Sequence, residues 1–198
     1  AERHYFVIPG GIGFEIGASQ SSLYRTNTPG IPIGSVHVGL FYNLDFGRHV
    51  AFQPGLAYIS KGNRLQSDLD VETTEKMALH YLEVPADVVF KLGKIENARI
   101  MVGAGPYGAW LAGASHKFKT PALSDGNDVL PSSPHYSVNN LANFDWGFGG
   151  FVGCQSPDGI FVKVRSEIGM MDLNKPKNDP YGRNFNLTVS VGYIFGYR

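Results

Sequence analysis

The chain has 198 residues, a formal net charge of zero, and only 17% charged residues beside 25 glycines. Balanced charge gives no electrostatic footprint for nucleic acid. A lone Cys154 excludes an internal disulfide and a cysteine-built zinc site, and no run approaches the roughly 18 apolar residues that a membrane helix needs. Strands are untouched by that last exclusion, because in a membrane barrel apolar and polar residues alternate and window hydropathy cancels.

Alternation at period two is the main signal along the chain. Residues 5–18 put Ile12, Phe14, Ile16 and Ala18 on one face and Gly13, Glu15 and Gly17 on the other, which predicts a first strand. Residues 19–32, rich in Ser, Asn, Thr, Pro and Gly, read as a loop. A second strand over 33–44 sets Val36, Val38, Leu40, Tyr42 and Leu44 against Ser35, His37, Gly39, Phe41 and Asn43. A short turn over 45–49 follows.

The third strand, 50–60, sets Val50, Phe52, Leu56 and Tyr58 against Ala51, Gln53, Gly55 and Ala57, and a polar loop runs from there to about 76. The fourth, 77–92, alternates Leu82, Val84, Ala86, Val88, Phe90 and Leu92 with Tyr81, Glu83, Asp87, Val89 and Lys91. After a short turn over 93–98 the fifth, 99–113, precedes the longest loop, 114–143. The sixth covers 144–155, and Ser156-Pro157-Asp158-Gly159 is a tight-turn signature. The seventh covers 160–171, and a loop to about 183 leads to the last.

The closing stretch, 184–198, is the clearest of all: Phe185, Leu187, Val189, Val191, Tyr193, Phe195 and Tyr197 oppose Asn186, Thr188, Ser190 and Gly192. Eight strands of about 11 to 16 residues exceed the usual 5 to 6 of soluble sheets and reach the 9 to 11 tilted residues that cross a bilayer. Long connections after odd strands and short ones after even strands complete the expectation: an all-β, eight-stranded antiparallel up-and-down transmembrane β-barrel, one domain over 1–198.

A soluble lipocalin-like barrel, with its apolar face turned inward around a ligand, is the competing fold. The face opposite the apolar one favours the membrane, being dominated by Gly, Ala, Ser, Asn and Thr, which suit a crowded lumen whose charges must pair. The predicted lumen network is Glu15, Glu83, Asp87 and Glu167 against Lys91, Lys163 and Arg165, with His37, Gln53 and Asn186 as hydrogen-bonding neighbours. Tyr58, Trp110, Phe144 and Trp146 are expected at the extracellular boundary of the bilayer, and Tyr42, Phe52, Phe90, Tyr193 and Phe195 at the periplasmic one. Pro54, Pro85 and Pro106 fall inside strands, where each removes a ladder donor; bulges or local opening of the pairing are the two remedies.

Five motifs in order, Tyr58-Ile59-Ser60-Lys61-Gly62, Tyr81-Leu82-Glu83-Val84-Pro85, Gly103-Ala104-Gly105-Pro106-Tyr107, Asp145-Trp146-Gly147-Phe148-Gly149 and Val191-Gly192-Tyr193-Ile194-Phe195, resemble the PorT-like, OmpX-like outer-membrane β-barrel family of Bacteroidetes. The likeness covers the chain from the second strand onward. It implies the cell envelope as location and transfers no catalytic residue. The chain departs from the family pattern in ending Gly196-Tyr197-Arg198 after Phe195.

Sites of chemistry are few. Ser35 and His37 share a face, and His135 and Ser137 share a loop, but neither pair has a third residue to orient the base. A lipid-modifying barrel enzyme is therefore the alternative rather than the reading. Asp68, Asp70 and Glu72, and likewise Asp125, Asn127 and Asp128, lack the spacing of a calcium loop. The sequon Asn186-Leu187-Thr188 lies within a strand, and Cys154 reads as a small packed hydrophobe. No cofactor or metal is expected. The expected partners are the lipid bilayer and a protein or glycan at loop 114–143, with the barrel monomeric and its role structural or surface-interacting.

Overall fold

The alternation does become strand, and every strand hydrogen-bonds to its sequence neighbours. The computed structural model describes residues 10–24, 31–67, 73–94, 97–119, 143–171 and 183–196. Its elements are β1 (Gly10–Tyr24), β2 (Ile31–Phe46), β3 (Val50–Ser67), β4 (Thr73–Leu92), β5 (Arg99–Lys119), β6 (Phe144–Gln155), β7 (Ile160–Gly169) and β8 (Arg183–Phe195). All pairs are antiparallel, and β8 returns to β1 to close the barrel.

The register fixes the barrel's shape. Following partners from Gly10 through Leu44, Phe52, Val88, Ala104, Gly150, Ser166 and Leu187 returns to β1 at Gln20, ten residues from the start. A stagger of that size around eight strands requires them to lean, by about 40° from the axis. An eight-stranded barrel is then just wide enough for its own side chains to fill.

Several boundaries differ from the sequence reading. β1 continues to Tyr24 through residues read as loop, because Ser19 and Ser21 point into a polar interior and pair with Thr188 and Asn186 of β8. Polarity marks a loop only where the alternative is an apolar core. β3 likewise runs on to Ser67, β4 starts at Thr73 and β5 extends to Lys119, each held by backbone pairing with its neighbour, so residues 114–119 are strand rather than loop. β7 ends two residues early, at Gly169. Residues 5–9, 120–142 and 197–198 lie outside the described residues, as do Asp68, Asp70, Glu72, Asp125, Asn127, Asp128, His135, Ser137 and Tyr197.

The short turns behave as read. Gly159 N donates to Ser156 O at 3.1 Å, and Gly159 adopts φ +93°, a conformation that a side chain would strain. Gly47 fills the same need after β2, at φ +81°.

The three prolines are accommodated by local opening. Pairing is interrupted between Phe41↔Gly55 and Leu44↔Phe52, between Pro54↔Ala86 and Ala57↔Glu83, and between Pro85↔Tyr107 and Val88↔Ala104, with the register unchanged across each gap. The gaps adjoin, forming one seam across β2 to β5. The bulge-like irregularities lie elsewhere, between Pro32 and His37 and at the step from His80 to Tyr81.

The lumen is not lined by small residues alone. Phe41, Tyr107, Phe151 and Phe161 also point inward, and each ring lies over the glycine directly opposite it: Gly13, Gly147, Gly103 and Gly192. A Cβ at any of these glycines would collide with the ring. The glycines are seats for large neighbours, and ring and seat together fill the width between strands. At the short-turn end Ala51, Val89, Met101, Phe151, Phe161 and Ile194 pack into an apolar plug, with Phe41 against it.

Candidate functional site

Period two places the inward residues of each strand at known parity, and all ten predicted lumen residues are buried: Glu15, His37, Gln53, Glu83, Asp87, Lys91, Lys163, Arg165, Glu167 and Asn186. The structure distributes nine of them among three groups. In the first, Glu15 Oε1 meets His37 Nε2 at 2.8 Å and Glu15 Oε2 meets Lys163 Nζ at 2.6 Å. Gly39, between Glu15 and His37, leaves room for both side chains. The Lys163 ammonium also lies 4.8, 5.3 and 5.8 Å from the ring centres of Phe151, Phe41 and Phe161. Ring faces and a carboxylate together replace the water this cation has lost.

The second group surrounds Arg165. Its Nη1 donates to Asp87 Oδ2 at 2.7 Å and its Nε to Glu167 Oε1 at 2.6 Å, while its guanidinium rests on Gly149. Asn186 Nδ2 donates to Glu167 Oε2 at 3.3 Å, and Asn186 Oδ1 accepts from Ser19 Oγ at 2.9 Å. The third group closes the short-turn end: Lys91 Nζ contacts Asp45 Oδ1 at 2.6 Å and Asn43 Oδ1 at 3.1 Å, and Gln53 Nε2 donates to Asn43 Oδ1 at 2.8 Å. Glu83, 1% exposed, lines the cavity between the first two groups.

Asn43, Asp45, Ser19 and Thr188 belong to these networks but were not among the predicted site residues. Parity alone carries the signal for them: Asn43 and Asp45 continue the face of His37, and Ser19 continues that of Glu15. Asp145, which accepts from Asn184 Nδ2 at 3.1 Å, was missed for the same reason.

The Ser35–His37 pair is not assembled for nucleophilic attack. Ser35 Oγ donates to Ser60 O at 2.6 Å, and His37 Nε2 is engaged by Glu15. The sequon asparagine Asn186 is 1% exposed within β8, and is no acceptor for a glycan in the folded barrel.

Outside, the apolar residues form a continuous wall. Val36 and Leu40 of β2, Leu82, Val84 and Val88 of β4, Val162 and Val164 of β7, and Val189 and Val191 of β8 are all exposed. The lipocalin-like alternative therefore fails, since that barrel would turn its apolar face inward and here the face points outward. Cys154 lies on this wall too, exposed between Ile100 and Val162, rather than packed inside. Along β4 the wall runs from Leu82 to Leu92, and ten residues at about 3.4 Å, leaning by about 40°, rise about 26 Å. A bilayer barrel's apolar band is about 25 Å tall.

The aromatic residues gather at the limits of the wall. Tyr58, Leu82, Trp110 and Phe144 form one cross-strand row, with Trp110 and Phe144 centroids 5.1 Å apart and Trp146 one step away on β6. Tyr58 OH meets His80 Nδ1 at 2.7 Å, so its polar end has a partner. Toward the short turns lie Tyr42, Phe52, Phe90, Tyr193 and Phe195, the last two edge to face at 4.8 Å.

The sequence matches the family of outer membrane protein β-barrel domains over residues 2–175. No curated protein matches the chain in sequence. Among solved structures it is similar to Ail, the attachment invasion locus protein of Yersinia pestis, at 13% identity, covering 94% of this chain and 99% of that one with a TM-score of 0.44. It is also similar to Neisserial surface protein A, at 9% identity, 93% and 97% coverage and a TM-score of 0.46. A third similar structure is the outer membrane enzyme PagL, at 12% identity, 90% and 98% coverage and a TM-score of 0.45.

Proposed function

The chain belongs to the family of outer membrane protein β-barrel domains, and from that premise we propose that it is a closed membrane anchor that holds its long-loop end out for contact with partners at the cell surface. The barrel resides in the outer membrane of a Gram-negative bacterium, embedded in the lipid bilayer. Its short turns, after β2, β4 and β6, face the periplasm in the usual arrangement of such barrels. The finer assignment to the PorT-like, OmpX-like group rests on the five sequence motifs; a single domain over 1–198, a monomeric state and no cofactor are separate parts of the proposal.

The observation that carries the proposal is how the lumen is filled. Charges pair across it, three rings surround Lys163, and the cavity beside them has room for about one water. Such an interior supports neither solute passage nor a bound substrate. Function then falls to what the barrel displays, which includes the extended hairpins of β3, β4 and β5 and the connection over 120–142. The aromatic rows named above act as the membrane-boundary residues.

Deleting residues 120–142 in the native host tests this reading. The expected result is a barrel that still inserts and shows heat-modifiable migration, in cells with altered adherence or aggregation. Unchanged surface behaviour refutes the display role. A change in lipid A mass that depends on His37 would instead establish the enzyme alternative.

A further inference from the structure

Two of the lumen networks border the same cavity. In the first, His37 gives Nε2 to Glu15, and its Nδ1 has no hydrogen-bond partner in the protein although the residue is 3% exposed. In the second, Asp87 uses Oδ2 and Arg165 uses Nη1 and Nε, and Asp87 Oδ1 and Arg165 Nη2 are likewise without partners, each residue being 4% exposed. His37, Asp87 and Arg165 all line one cavity, together with Glu15, Gln53 and Glu83. About 20 Å³ of it is open to the centre of a water-sized sphere. A single water needs about 10–15 Å³ on this measure and two to four polar partners.

We propose that this cavity is a built hydration site, in which one water molecule bridges His37 Nδ1, Asp87 Oδ1 and Arg165 Nη2 and so joins the Glu15–His37–Lys163 group to the Asp87–Arg165–Glu167–Asn186 group. The donor and acceptor count fits. Glu15 Oε1 accepts from His37 Nε2, so the neutral imidazole carries its proton there and Nδ1 is an acceptor. The water donates to Nδ1 and to Asp87 Oδ1 and accepts from Arg165 Nη2, three bonds in all. If the ring is protonated, Nδ1 donates instead, and the water accepts two bonds and still donates to Asp87. All three buried atoms are satisfied in either state, whereas each would otherwise carry a desolvation penalty with nothing to offset it.

Location strengthens the assignment. Pro85, Phe41 and Leu56 also line the cavity, so it lies directly behind the proline seam, where the β-ladder is interrupted on both sides of β3. Hydrocarbon offers no hydrogen bonds to backbone groups at the gap, so a partner for them has to come from the lumen side. The water would hold together side chains from β2, β4 and β7, strands that do not pair with one another.

Two measurements on the full-length barrel in detergent test the site. A crystal structure fine enough to show ordered water should place one peak within hydrogen-bond distance of all three atoms; an empty cavity, or side chains turned to bond directly, overturns the proposal. A double-mutant cycle on urea unfolding with His37→Gln and Asp87→Asn should depart from multiplicative behaviour by about threefold or more, since partners in one network couple without touching. Effects that multiply to within twofold would show that the two groups are independent and refute the bridge.

Discussion

Replacing Arg165 by Met should be among the most damaging single changes in the barrel. The side chain is 4% exposed, and its guanidinium is bonded to two carboxylates, Asp87 at 2.7 Å and Glu167 at 2.6 Å, that are themselves 5% and 2% exposed. Removing one partner of a buried ion pair costs about 3–5 kcal/mol, because the remaining charge stays desolvated. Here two carboxylates are stranded, which places R165M toward the upper end. Met fills much of the volume, and its burial returns at most about 1.5–3 kcal/mol. The loss therefore dominates, and a net cost of about 3 kcal/mol corresponds to roughly 150-fold in the unfolding equilibrium. Urea titration of the folded barrel in detergent or vesicles, followed by tryptophan fluorescence and heat-modifiable migration, reads this directly. Adding Asp87→Asn and Glu167→Gln to R165M should recover most of the loss. A single variant as stable as the wild type, or a triple variant worse than the single, would refute the charge-pairing account of the lumen.

The glycine seats make a steric prediction: Gly103→Val should cost about 1–3 kcal/mol by driving a side chain into the Phe151 ring, and adding Phe151→Ala should relieve it, both read by urea midpoint. Lys163→Ala leaves Glu15 and the ring cage without their cation, and methylammonium should raise the urea midpoint of this variant but not that of the wild type; equal responses would show that the cage does not select the ammonium. Trp110 and Trp146, the only two tryptophans, lie in or next to the cross-strand row that contains Leu82, so lipids brominated near the headgroup should quench their fluorescence more than lipids brominated near the chain end. Stronger quenching by the deep label would place that row inside the bilayer rather than at its boundary.

What the sequence made legible was parity. Alternation told which side of the wall each residue faces, and so Glu15, Asp87, Lys163 and Arg165 were assigned to the interior from spacing alone. Parity does not reveal neighbours, however. Arg165 and Asp87 are 78 positions apart, and only the register brings β4 and β7 to the same level of the lumen. The same ignorance hid the pairing of Gly13 with Phe41 and of Gly192 with Phe161, so abundant glycine read as small lining instead of as seating for rings. Strand ends failed for a different reason. Ser19 and Ser21 look like loop because polarity usually means water, yet on this barrel's inward face both are buried beside other polar residues. The prolines were recognised as a difficulty, but that Pro54, Pro85 and Pro106 adjoin in one seam became visible only once the register was known.

The strands are also unequal in length. β5 pairs with β4 as far as Thr74↔Lys119, whereas its pairing with β6 ends at Trp110↔Phe144. Nine residues of β5, about 30 Å of strand, therefore rise beyond the last β6 contact. Among the described residues β6 and β7 have no counterpart to this ribbon, so the described part of the barrel has a front and a back when viewed down the membrane normal. An approaching surface meets the ribbon only over part of the barrel's rotation in the bilayer. Encounter rates then depend on how freely the barrel spins among its neighbours, and crowding that fixes its azimuth would make contact directional across the cell surface.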